Sequence, residues 1–321
     1  MKRNKLKTGR SLIFLSLIII TSYIIFYNRF TIYDNWVLAN YHPSQNIQTL
    51  TNDDTFTSYS KTIFYINKPK LLDKSQFQKI CPNINPKIEI VLGCYYPNEN
   101  GIYILSVSDP ALNGIEQVTA AHEMLHGIYS RLSSSQKNNL DNLLEYFYQN
   151  VLTDNRVKNE ISIYRQTEPN SVFDEMNSTF ATEITVLTPA LESFYDQFFT
   201  NRLRIVKYEQ GYQNVFIAKN QLISSEDTQL SELNTLINNL ENQASSLNNK
   251  LKSDLNIIKS NQNSTNYSQL IDNYNLEINQ YNNLVNQITS SINQYNQIVD
   301  TRNQNAISLN NLVNLISPKT K

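Results

Sequence analysis

The sequence predicts an α+β protein: a small mixed domain followed by a long antiparallel coiled-coil hairpin, with one transmembrane helix ahead of both. Three observations carry this. An uncharged apolar run follows a basic N-terminus, a few β-branched runs give way to helical periodicities mid-chain, and an apolar repeat every 3.5 residues fills the last third. The expected boundaries are a cytoplasmic basic tail over 1–11, a membrane span over 12–28, a stalk over 29–60, the mixed domain over 61–200, and the hairpin over 201–317, with arms at about 205–259 and 267–316.

Lys2, Arg3, Lys5, Lys7 and Arg10 precede residues 12–27, which hold no charge. With its flanks this run approaches the ~20 residues that cross a bilayer. The positive-inside rule then keeps the N-terminus in the cytoplasm and places everything after about residue 30 outside. A cleaved signal peptide would need a small-x-small site, whereas residues 21–27 are mostly bulky, so the expectation is an uncleaved anchor. Residues 29–60 are polar and mixed, and read as a stalk or a propeptide. Cys81 and Cys94 form one disulfide in an oxidising compartment, or stay two buried thiols. With 27 basic and 28 acidic residues, the chain lacks the basic excess of a nucleic-acid binder, so no such partner is expected.

Strands are expected at 62–66, 88–92 and 101–107, rich in β-branched and aromatic residues, the last two joined as a hairpin across the turn-forming residues 96–101. Asp109-Pro110 ends them. Helices follow over 115–130, after a cap at 133–135, near 161–165, and over 171–187 before Pro189. Six glycines in 321 residues favour long helices beyond.

Leu230, Leu233, Ile237, Leu240, Ala244, Leu247, Leu251 and Ile258 alternate spacings of 3 and 4, with Asp254 as an interruption. After the polar residues 260–266 the pattern resumes through Tyr267, Ile271, Tyr274, Ile278, Tyr281, Val285, Ile288, Ile292, Tyr295 and Val299, and ends with Ala306, Leu309, Val313 and Ile316. Such a seam needs a partner. The short loop makes the other arm the simplest one; self-association or a separate coiled-coil partner is the rival.

His122-Glu123-Met124-Leu125-His126 carries the chemistry. Residues four apart share a helix face, so both imidazoles reach one metal ion, and Glu123 sits beside it as a general base. Neutral imidazoles hold Zn²⁺ without quenching its charge, which makes zinc the expected cofactor. Uncharged flanks, with Ala120 and Ala121 before and Gly127 after, suit a buried helix under a cleft.

At these residues, and in the order of strands and helices around them, the chain resembles the zincin superfamily of metallopeptidases over roughly 88–187. The resemblance implies a catalytic zinc and an edge strand that binds the substrate extended, for which residues 102–107 are the expected segment. A catalytic site takes three protein ligands. No third histidine follows His126 at metzincin spacing, and His42 lies upstream in the expected stalk. Glu175, at 175 − 126 = 49 residues beyond His126, followed by Ser178 and Thr179, is similar to the ligand glutamate of the gluzincin branch. Glu183 and Asp174 are the alternatives. Thr179 stands where that branch commonly has an aspartate that orients a histidine, so the role has no occupant here. With twenty tyrosines, Tyr129 and Tyr164 among them, no helper for the oxyanion is chosen. The resulting expectation is a membrane-anchored zinc metallopeptidase acting on exported peptides or proteins, a cell-wall peptide among the options. The alternative is an inactive zincin-like adaptor tethered to the envelope.

Overall fold

The computed structural model describes residues 3–52, 54–82, 91–97 and 101–317, with backbone alone for 3–13. The chain divides into two units, one up to Gln213 and again from Asn314, the other Asn214–Val313.

The first unit opens with α1 (Arg3–Tyr27) and α2 (Arg29–Asn40). Side chains 14–27 are all exposed. Among the described residues no single helix is long and apolar enough to cross a membrane; 14–27 and α2, bent by 63°, pass that test together by length and composition. Residues 29–60 are not a stalk. α2 and α3 (Gln45–Thr51) bury Val37, Ile47 and Leu50 to 2% exposure or less, and Arg131 clamps Asp34 through both guanidinium ends at 2.7 and 2.8 Å. Ile47 and Leu50 stand singly among polar residues, so no periodicity announces them.

The strand expected at 62–66 is instead α4 (Ser58–Ile66). Thr57 caps it, its hydroxyl accepting from Ser60 N, and Ser60, Ile63, Phe64 and Ile66 are buried. Helical burial overrides the β propensity of these residues. β1 (Lys70–Leu72), unforeseen, precedes α5 (Lys74–Ile80). β2 (Gly93–Tyr96) and β3 (Gly101–Leu105) make a hairpin, from Gly93 opposite Ile104 to Tyr96 opposite Gly101, but its first strand lies beyond the expected 88–92, whose described residues Val91 and Leu92 belong to no strand. Residues 88–90 of the expected second strand lie outside the described residues. β1 pairs with β3 in parallel, so the order is β1-β3-β2. β3 is therefore central and buried throughout, and β2 is the edge. The expectation that 102–107 would be an edge strand is corrected by this pairing. A disulfide joins Cys81 to Cys94 across a Cα separation of 6.0 Å.

α6 (Ile115–Arg131) starts from Gly114 at φ 95°, a conformation that costs other residues strain. Glu116 ties this start to the end of β3, accepting from Val107 N at 2.7 Å and Ser106 Oγ at 3.1 Å. α7 (Ser134–Asn150) carries a Ser133–Gln136 capping box, and α8 (Asn155–Thr167) is capped by Asp154. α9 (Val172–Glu183) ends four residues earlier than expected, and α10 (Pro189–Tyr195) follows. Buried Arg202, at the start of α11 (Arg202–Ser260), donates to the carbonyls of Ala181, Ile184 and Thr185 and so satisfies the end of α9. α6 packs most extensively on α9, with Ala121, Leu125, Met176 and Phe180 fully buried. The end of α12 (Tyr267–Ile316) belongs to this unit: Lys74 donates to Asn314 O at 2.6 Å, and Ile316 is 2% exposed.

The second unit is an antiparallel pair of helices. Lys219 meets Ser308 and Lys250 meets Glu277, so 31 residues forward on α11 match 31 backward on α12. Asp227–Arg302 and Glu226–Asn305 fall between. On α11 the buried and half-buried line runs through the expected residues, 230 to 258, Asp254 included. On α12 it departs at two places. Leu284 and Ser291 turn inward, while Val285 and Ile292 stay 39% exposed.

Candidate metal centre

The two histidines project from one face of α6, their ring centroids 4.9 Å apart. α9 crosses that face and brings in Glu175. His122 Nε2 lies 3.5 Å from Glu175 Oε2, and His126 Nε2 lies 3.8 Å from Glu175 Oε1. One ligand atom from each residue falls within 4.8 Å of the others. Around a four-coordinate zinc with bonds of ~2.0–2.1 Å, ligand atoms stand roughly 3.3 Å apart, so these three residues are of the right kind and would close in by up to about 1.5 Å to hold one.

Asp174, one residue before Glu175, accepts from His126 Nδ1 at 2.8 Å, and Ser178 Oγ lies 3.4 Å from the same nitrogen. With Nδ1 protonated toward Asp174, Nε2 is the nitrogen free for metal. The role that Thr179 could not fill thus belongs to Asp174; Thr179 is fully buried and its hydroxyl has no partner. Asp174 thus meets His126 from the far side of its ring and lies outside the candidate group. Glu183 does not join the group either: it accepts from Arg156 at 2.6 Å, at the far end of α9. His42 is exposed and outside the group.

Burial opposes charge on His126, but Asp174, Glu175 and Glu123 outweigh it and raise the imidazolium to about 10. Burial likewise opposes charge on His122, where the bond to Glu175 wins and shifts it upward. Glu175 is pulled below its ordinary range: burial raises it, and His126, His122 and a hydrogen bond from Tyr164 lower it further. Tyr164 therefore holds Glu175 in its charged form. Tyr129 donates instead to Asp141 at 2.8 Å.

Glu123 is 5% exposed, and burial pushes its carboxyl up against the pull of both imidazoles. It leans on β2. A Cβ at Gly93 would lie 2.7 Å from both Glu123 Cγ and Thr119 Cγ2, so only glycine lets the strand pass this close. Tyr95, two residues along, stacks on His126 with planes 4° apart and centroids at 6.5 Å. The cleft above the group, about 540 Å³, is lined by His122, Glu123, His126, Glu175, Tyr164 and β2. Sequence reasoning missed Gly93 and Tyr95. The one available signal, a lone glycine opening an aromatic strand, became informative only once β2 lay across α6.

Comparison with protein-family models, curated proteins and solved structures returns no match.

Proposed function

We propose that this chain is a membrane-anchored zinc metallopeptidase, zincin-like with a gluzincin-type ligand set, that hydrolyses peptide bonds of extracytoplasmic proteins. The observation that carries the reading is the convergence of His122, His126 and Glu175 beside the non-ligand carboxylate of Glu123. Zinc bound by this set would act as a Lewis acid, acidifying water and polarising a carbonyl. Glu123, its proton affinity raised by burial, takes the proton from water and returns it to the leaving amine. Asp174 and Tyr164 hold His126 and Glu175 in place. β2 borders the cleft and, among the described residues, pairs on one side only, so its free N–H and C=O groups suit an extended peptide.

The Cys81–Cys94 bridge fits an oxidising compartment, and the basic tail before the apolar run fits an anchor with its N-terminus in the cytoplasm. We read the α11–α12 pair as a coiled coil that spaces or positions the site. The test uses the full chain in detergent: metal content, then casein cleavage with and without chelator. Glu123→Gln is expected to keep one zinc per chain and lose roughly 10²–10⁴ in turnover. Metal-free protein, or a Glu123→Gln variant with full activity, would sink the reading.

A further inference from the structure

One side of α2 carries a bare apolar stripe. Ile32, Trp36 and Ala39, spaced four and three apart, share a face of that helix, and Ile32 and Trp36 are 51% and 59% exposed. The other side is docked. Val37 is buried, and Asp34 accepts from both guanidinium ends of Arg131. A helix held to the folded unit on one face leaves its apolar face for a second surface.

The chain itself says what that surface is. α1 ends at Tyr27 and α2 starts at Arg29, so Asn28 alone separates α2 from the apolar run. Where that run crosses a bilayer, α2 has to start at the bilayer surface. With α1 along the bilayer normal, the 63° bend lays α2 about 27° from the membrane plane. Its 12 residues cover ~18 Å and climb about 8 Å, within the ~5–10 Å depth of helices that lie in the headgroup layer. The junction has matching chemistry. Arg29 holds its guanidinium over the Phe26 and Phe30 rings at 4.3 and 4.8 Å, and Tyr23 stacks on Tyr27. Aromatic rings, and a cation whose head reaches back to water, are what the interface favours. The Asp34–Arg131 ion pair on the docked face argues against α2 continuing into the hydrocarbon.

We propose that α2 is an interfacial helix, with Ile32, Trp36 and Ala39 lying in the headgroup layer of the bilayer that α1 enters. Arg131 ends α6 five residues, ~7.5 Å, beyond His126. The same contact therefore fixes the helix that bears both imidazoles and holds the candidate metal centre near the membrane surface. The proposal rests on the anchor in the functional reading and not on the peptidase activity.

Trp36 is the chain's one tryptophan, so its emission reports on the stripe directly. Full-length protein is reconstituted in phosphatidylcholine vesicles and floated on a density gradient. Trp36 is then quenched with aqueous iodide, or with lipids brominated near the headgroup or near the chain end. Expected are co-flotation, loss of iodide quenching, and stronger quenching by bromines near the headgroup. Moving the indole checks the face. With Trp36→Phe in place, Ile32→Trp should keep that pattern, while Thr31→Trp, exposed but off the stripe, should regain iodide quenching. Floating protein whose Trp36 stays open to iodide overturns the interfacial helix and leaves the anchor standing. Protection from iodide without bromine quenching also overturns it, because another protein surface, such as a second copy, then covers the stripe. Strongest quenching from the bilayer centre overturns it by making α2 part of the span. Protein that fails to float defeats the anchor, and this proposal with it.

Discussion

Replacing Gly93 by Ala adds one methyl at the place where β2 crosses α6. That carbon would lie 2.7 Å from Glu123 Cγ and from Thr119 Cγ2, well inside van der Waals contact. Thr119 is held by its hydroxyl to Ile115 O at 2.8 Å and is buried, so Glu123 or the strand must move. Overpacking of this size costs about 1–3 kcal/mol, or roughly 2–12 °C in Tm for a unit of this length. Neither Gly93 nor Glu123 belongs to the group of His122, His126 and Glu175, so the proposed one zinc per chain should be retained. A shift of the base by about 1 Å lowers kcat on the order of a hundredfold. The paired control is Gly211→Ala. Gly211 lies inside α11 with nothing within 4 Å of its added carbon. There the same methyl should stabilise by about 0.4–1 kcal/mol, because helical alanine loses less backbone freedom. Melting curves, metal content and peptide turnover of the two variants form one experiment. Equal Tm and equal kcat for Gly93→Ala and wild type would refute the packing argument.

Asp174→Ala should weaken zinc binding by about 10–100-fold in chelator competition, the usual effect of losing a ligand's hydrogen-bonding support, while Thr179→Val leaves it unchanged. In the zinc-free protein His126 titrates near 10 folded against about 6.5 unfolded. Its contribution to stability is therefore complete below about pH 6.5 and disappears as pH rises through 10, so the zinc-free Tm should fall across that window. Zinc uptake at pH 8 should release a proton, measurable by calorimetry in buffers of different ionisation enthalpy. Reducing Cys81–Cys94, which closes a separation of 13 residues, should cost about 3 kcal/mol, read from melts with and without reductant. In the helical pair, Leu284→Ala should lower the melting midpoint, whereas Val285→Ala, at an outward position, should stay within about 0.5 kcal/mol of wild type.

Much of the site was legible because its spacing is local. Two histidines four apart share a helix face wherever that helix lies, and the seam of α11 lies where a period of 3.5 puts it. Glu175 was reachable by likeness to a known ligand pattern. Its competition with Glu183 and Asp174 was not resolvable, since all three sit on one helix and only the direction from which α6 approaches distinguishes them. That approach puts Glu175 on the imidazoles, turns Asp174 to the far nitrogen of His126, and leaves Glu183 to Arg156.

Composition and periodicity by themselves determined the α+β class, the strand at β3, the helices that carry His122, His126 and Glu175, and the two long helical arms with their apolar seams. Each depends on residues close in sequence or on one long repeat. Tertiary structure alone decided that residues 58–66 coil into α4, that β3 is central and β2 the edge, and that residues 29–60 pack into the unit. It also decided that the seam of α12 steps to Leu284 and Ser291. In all four cases local preference is weak or divided, and burial against segments distant in sequence selects the outcome.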